Sequence, residues 1–195
     1  MAGLRAFSWR PLSLFLFLLF FGGACARVNK EAILSSIEKS PDAYAAFMIK
    51  DVPHFPQSKL LCGPSSVASV LNYYGAKVSM EEVAEKVYRE DLNGTLSIDL
   101  LIYAKEKGFS TSYYSGGLED LKQKIRDKTP PVVFLNLGFK IYPVGHFIVV
   151  TGYSEKEKVI VAHSGAEKDK VMGYGDFINA WEKTGFSTLL ITPKK

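Results

Sequence analysis

Apolar and polar positions follow two different rhythms along this chain, and the change of rhythm falls at a pair of prolines, Pro130 and Pro131. From Val28, VNKEAILSSIEKS carries apolar residues at helical spacing and predicts a short helix that ends before Pro41. DVPHFPQ then reads as an extended approach with two prolines, leading into a helix over CGPSSVASVLNYYG. Pro64 suits the first turn, where its missing N–H costs nothing, and Gly75 suits the stop. Ser79 and Glu82 form a capping box for SMEEVAEKVY. Two more helices are predicted, one from Ser97 through SIDLLIYAKEKG and one over GLEDLKQKIRDK, so the chain to this point reads as mainly helical. Beyond Pro131, VVFLNL, HFIVVTGY and KVIVAHS are short runs rich in β-branched and aromatic residues, as in buried strands. GDFINAWEKTG interrupts them as a short helix, and FSTLLITP closes as a last strand. Helices first and strands afterwards predict an α+β domain, an antiparallel sheet packed on a helical half.

The first twenty-six residues stand outside this pattern. Arg5 and Arg10 precede the apolar run PLSLFLFLLFF, and small residues follow at Ala24 and Ala26. This is the make-up of an export signal cut after Ala26, and the run is too short for a comfortable membrane span of about twenty residues. Two other readings of the segment stay open: a lipoprotein signal cut before Cys25, which would then carry lipid, and an uncleaved membrane anchor. The expected organisation is therefore a signal over residues 1–26, a helical segment or tether over 27–49, and one domain over 50–195. Export places that domain in a periplasmic or extracellular setting.

Charge narrows the partners. Of 24 basic and 20 acidic residues, only Arg5 and Arg10 fall in the leader, so the remainder carries 22 against 20, a net of +2. Lysines interleave with acids, as in SEKEK, and no basic stripe suggests nucleic acid. Three scattered histidines and one cysteine outside the leader give no metal-ligand spacing, and GGL at 116 and GYG at 173 are isolated turn signals, so neither a metal nor a cofactor is expected.

Cysteine carries the chemistry. The chain has only Cys25 and Cys62, and in an exported protein the second is an odd thiol with no partner inside the domain. Cys62 falls where a helix should begin, and the unpaired N–H groups and positive dipole end there favour a thiolate. A base must lie within reach, and His54, His146 and His163 are the candidates. His54 sits in the extended approach; His146, following Gly145 at the mouth of the strand HFIVVTGY, is better placed to project into a cleft. The backbone N–H of Cys62 and the carboxamide of Gln57, five residues upstream, could receive a developing oxyanion.

DVPHFPQSKLLCGPSSVASVLNYYG, followed about eighty residues later by GHFIVVTGY, resembles the peptidase C39-like cysteine peptidases. The likeness extends over roughly residues 50 to 193 and is strongest to a small exported branch that stands apart from any transporter, through FLNLG, HSG and FINAWEKTG. It implies a papain-like fold with Cys62 as nucleophile, His146 as base and Gln57 in the oxyanion hole. One departure stands out. The wider family carries an aspartate in an Asp-Pro pair on the strand after the histidine, where this chain reads KVIVAHSG. Ser164 is preferred as the group orienting His146, with His163 as the alternative; Asn136, Gly63 and Gly145 are candidates for substrate contact, though a turn suits Asn136 as well.

These observations predict an extracytoplasmic cysteine peptidase acting on a peptide or protein through an acyl-enzyme. The same site suits an acyltransferase or cell-wall amidase. A peptidase-like module that binds peptides without cutting them is the rival from another class, and an anchored scaffold depending on Cys25 is a third. Tethering through Cys25 or an uncleaved signal and the oligomeric state stay open.

Overall fold

A computed structural model describes residues 29–57, 59–139 and 141–194; the leader and Cys25 lie outside the described residues. Six helices are described: α1 (Lys30–Glu38), α2 (Cys62–Tyr73), α3 (Met80–Val87), α4 (Ser97–Glu106), α5 (Leu118–Arg126) and α6 (Tyr174–Glu182). Seven strands accompany them: β1 (Ala46–Met48), β2 (Phe109–Ser115), β3 (Val132–Asn136), β4 (Gly145–Ser154), β5 (Val159–Ser164), β6 (Glu167–Gly173) and β7 (Ser187–Pro193). They form one sheet in the order β2-β7-β3-β4-β5-β6, with every pairing antiparallel. β1 pairs with the far half of β4, in line with β3 along the same edge.

The α+β class follows from where apolar surface has to go. β4 is buried on both faces from His146 to Ser154, with β3 and β5 on its flanks and α2 against it. α2 is buried from Cys62 to Leu71, which makes it the central helix. Its start needs Pro64 in the first turn, and its end needs Gly75, whose φ of +88° is in the left-handed region. Ser79 Oγ accepts from Glu82 N at 3.0 Å, completing one half of the expected box; the Glu82 carboxylate instead pairs with Lys107. Trp181, Phe177 and Tyr153 are the largest side chains fully enclosed, and Trp181 donates Nε1–H to Ser187 O at 3.1 Å.

Three strands depart from the expected pattern. β2 lies in the half read as helical and pairs along its length with β7. β6, EKDKVMG, is a charged edge strand held by β5. β1 alters the expected boundary at residue 50. Together with α1 it packs into a small apolar cluster of Ile37, Ala46 and Val161, so the described part of residues 27–49 is built into the domain.

Candidate active site

Cys62 opens α2 directly after a 3-10 turn at Lys59–Leu61, and its N-cap, Leu61, offers no side-chain acceptor. The first-turn N–H groups therefore remain for the sulfur. Backbone N–H groups of Phe147, Gly63 and Cys62 itself favour the thiolate, but burial is the largest influence and pushes the thiol above its ordinary value. Gly63 sits in tight packing: a Cβ there would lie 3.2 Å from Leu100 Cδ1 and from Thr95 Cβ, so both side chains would have to give way slightly.

His146 is the second residue of β4, opposite Leu135 of β3, and its ring is buried. Its Nε2 lies 2.9 Å from Ser164 Oγ, the last residue of β5. Because Phe147 lines the same groove as Cys62 and follows His146, β4 carries the histidine toward the helix that carries the thiol. Cys62 opens onto a groove of about 290 Å³, walled by Leu60, Leu92, Leu96, Phe134 and Phe147, with Gly145 at its edge. Gly145 is also fixed by packing, since a Cβ would meet Phe134 Cζ at 2.6 Å.

Gln57 lines a small polar space together with His54, Ser66, Phe147 and Ser164. Its Oε1 is buried and lacks a hydrogen-bond partner, so the carboxamide is not pinned by that atom. His163 lines the same space but is held by other partners. Its Nε2–H donates to Val52 O at 2.9 Å, while Nδ1 accepts from Asp169 N at 3.3 Å. Burial holds its pKa below the ordinary value, opposed by the Val52 carbonyl and by Asp169. His54 stands beside it, ring centroids 5.2 Å apart, with Nε2–H on Gly165 O at 3.0 Å. Of the two candidates for orienting His146, Ser164 is thus the one in contact.

Asn136 takes the turn role. Its Oδ1 accepts from Gly138 N and Val144 N, both at 2.9 Å, closing the β3–β4 hairpin. The sequence reading also missed a wall of the groove, the DLNGTL stretch that supplies Leu92, Thr95 and Leu96. Two isolated leucines flanking an Asn-Gly turn were the available signal. Among the described residues, no group of histidine, cysteine or acidic side chains could hold a metal ion.

A papain-like arrangement of helix-borne cysteine and strand-borne histidine on an antiparallel sheet defines the class, and comparison with known families agrees. Residues 49–189 match the model of the Peptidase C39-like family, and the chain belongs to it. Among solved structures it is similar to the peptidase domain of Streptococcus ComA, a bi-functional ABC transporter involved in quorum sensing. Identity is 22%, covering 74% of this chain and 100% of that one, with a TM-score of 0.59. It is also similar to a C39-like peptidase from Bacillus anthracis, at 16% identity, 76% and 98% coverage and a TM-score of 0.63. A double glycine motif protease from an AMS/PCAT transporter, solved with its leader peptide, gives 25% identity, 74% and 93% coverage and 0.58. No curated protein matches the chain.

Proposed function

We propose that the protein is a cysteine peptidase working outside the cytoplasm. The observation carrying this reading is the convergence on β4: Phe147, which shares the groove with Cys62, follows a histidine whose Nε2 lies 2.9 Å from Ser164 Oγ. With Nε2–H donated to Ser164 Oγ, Nδ1 of His146 is the nitrogen to take the thiol proton. The thiolate attacks the peptide carbonyl carbon, and the oxyanion is received by Cys62 N–H and a rotated Gln57 carboxamide. Collapse expels the amine, protonated by His146, and leaves a thioester that water hydrolyses with His146 as base. The apolar groove favours substrates with apolar side chains beside the scissile bond. Export rests on the charged start, apolar run and small residues of the first twenty-six positions.

A hydroxyl in the orienting position stabilises the imidazolium less than a carboxylate would, so slow turnover is expected. That hydroxyl and the raised thiol also favour a second reading, a peptide-binding module. Alkylation of Cys62 across pH, followed by intact mass and compared with His146→Ala, separates the two. Peptidase chemistry requires reactivity below the ordinary thiol range of about 8.5 that disappears with the histidine. Equal alkylation of both proteins, arising only near that value, would hand the site to the binding module.

A further inference from the structure

The β3–β4 hairpin combines rigid construction with a tip, Phe139-Lys140-Ile141-Tyr142, that is apolar at three of its four positions. Phe139 and Tyr142 exchange backbone hydrogen bonds, each 3.1 Å, and Leu137 N–H donates to Val144 O at 2.9 Å. Asn136 ties the base, and Lys183 Nζ donates to Gly138 O at 3.2 Å. Gly138 is obligatory, because a Cβ would fall 2.1 Å from Tyr142 O. These contacts hold out Phe139 at 82% exposure, Ile141 at 82% and Tyr142 at 76%. Scattered exposed apolar residues need no explanation, but three together on a braced protrusion do. The tip is convex and separate from the walls of the Cys62 groove, which reaches only Phe134 and Gly145. A peptide seeks a concavity; a protruding aromatic and aliphatic tip suits a fluid surface.

The position of the chain's start names that surface. Lys30 Nζ donates to Lys168 O at 2.6 Å and pairs with Glu167 at 3.6 Å, and Glu167 lies across the ladder from Ser164. β4 begins at Gly145 and antiparallel β5 ends at Ser164, so the start of α1, the β5–β6 turn and the hairpin share one end of the sheet. Strands β4 and β6 lie two spacings apart, about 10 Å. The apolar leader therefore joins the domain at the end that also carries the hairpin, with Lys183 at the hairpin base for anionic headgroups.

We propose that the β3–β4 hairpin is a membrane-contact loop: Phe139, Ile141 and Tyr142 enter the interfacial layer of a lipid bilayer beside the tether, holding the Cys62 groove at the membrane surface. This rests on the tethered reading of the leader and not on catalysis. The substrate class that follows is a peptide segment lying close to the bilayer.

The test uses the full chain bound to vesicles of phosphatidylcholine and phosphatidylglycerol whose acyl chains are brominated. Phe139→Trp reports from the tip, and Lys156→Trp, 85% exposed at the β4–β5 turn at the opposite end, is the control; the unsubstituted chain supplies the background. Insertion by about 5–10 Å should quench the Phe139→Trp signal about twofold or more and leave Lys156→Trp unchanged. Adding Ile141→Ser and Tyr142→Ser should relieve that quenching while peptide hydrolysis in solution stays the same. A chain that floats with vesicles but shows no quenching at 139 overturns the proposal, as does a chain that does not float. Dimer dissociation caused by Ile141→Ser and Tyr142→Ser, without quenching, assigns the tip to a second copy and also overturns it. Hydrolysis measured in the same samples scores the peptidase reading separately.

Discussion

The two halves of the candidate site are held by different forces. Cys62 stands on a helix buried for ten consecutive residues, Cys62 through Leu71, so the position of its sulfur is set by apolar packing. His146 stands on a strand that is equally buried, and its ring adds a polar contact, Nε2 to Ser164 Oγ at 2.9 Å. Packing resists small changes collectively, whereas a single hydrogen bond is lost all at once and contributes about 0.5–1.5 kcal/mol. On the proposed reading, the nucleophile is thus robust in place and the base is tunable.

The largest expected effect that tests this difference is at the sulfur itself. Cys62→Ala should abolish peptide hydrolysis and leave the thermal midpoint close to that of the wild type, checked by product analysis and calorimetry. Next comes the packing that holds the sulfur: Leu71→Ala, at a fully buried site, should cost about 2–5 kcal/mol in denaturant unfolding. If its activity survived undiminished in the fraction still folded, apolar packing would not be what sets the sulfur. A smaller effect is expected across the groove. Ser164→Ala should lower kcat roughly 3- to 10-fold, the kinetic equivalent of one neutral hydrogen bond, with stability little changed. Ser164→Asp sharpens the same point: a carboxylate at Nε2 should raise kcat and shift the acid limb of the pH–rate profile downward, as expected where the anion stabilises the Cys62–His146 ion pair.

The smallest effect belongs to the neighbouring histidine. Because burial lowers the pKa of His163 in the folded state, the unfolded chain binds the proton more readily. Its contribution to stability is complete above the unfolded value of about 6.5 and is lost as pH falls from there through the lower folded value. Unfolding curves from neutral pH downward should show this slope, and His163→Gln should flatten it without the kcat loss of Ser164→Ala.

Legibility in sequence tracked the same forces. β3, β4, β5 and β7 were readable because strands buried on both faces become continuous apolar runs, and α2 through its proline and glycine punctuation. β6 was unreadable since its partner supplies the burial and its own run, EKDK, is charged throughout. β2 offered a signal that went unused: FSTSYYS follows Gly108 with β-branched and aromatic residues, although its exposed positions blur the alternation. Neighbours on β5 show a further limit. His163 and Ser164 are adjacent, and a register shift between Ala162 and Ser164 helps decide which meets His146. Such irregularities depend on the partner strand, so spacing alone left both open.

The order of the chain adds a consequence in time. Cys62 is laid down early, while His146 and Ser164 belong to strands that pair only after most of the chain exists. Until β4 and β5 have closed onto α2, the thiol has no base and no groove, and long-range closure of this kind is slow. On the proposed reading, a precursor threading unfolded through a membrane is harmless to itself and to its carriers. It becomes a blade only once β4 and β5 have closed onto α2.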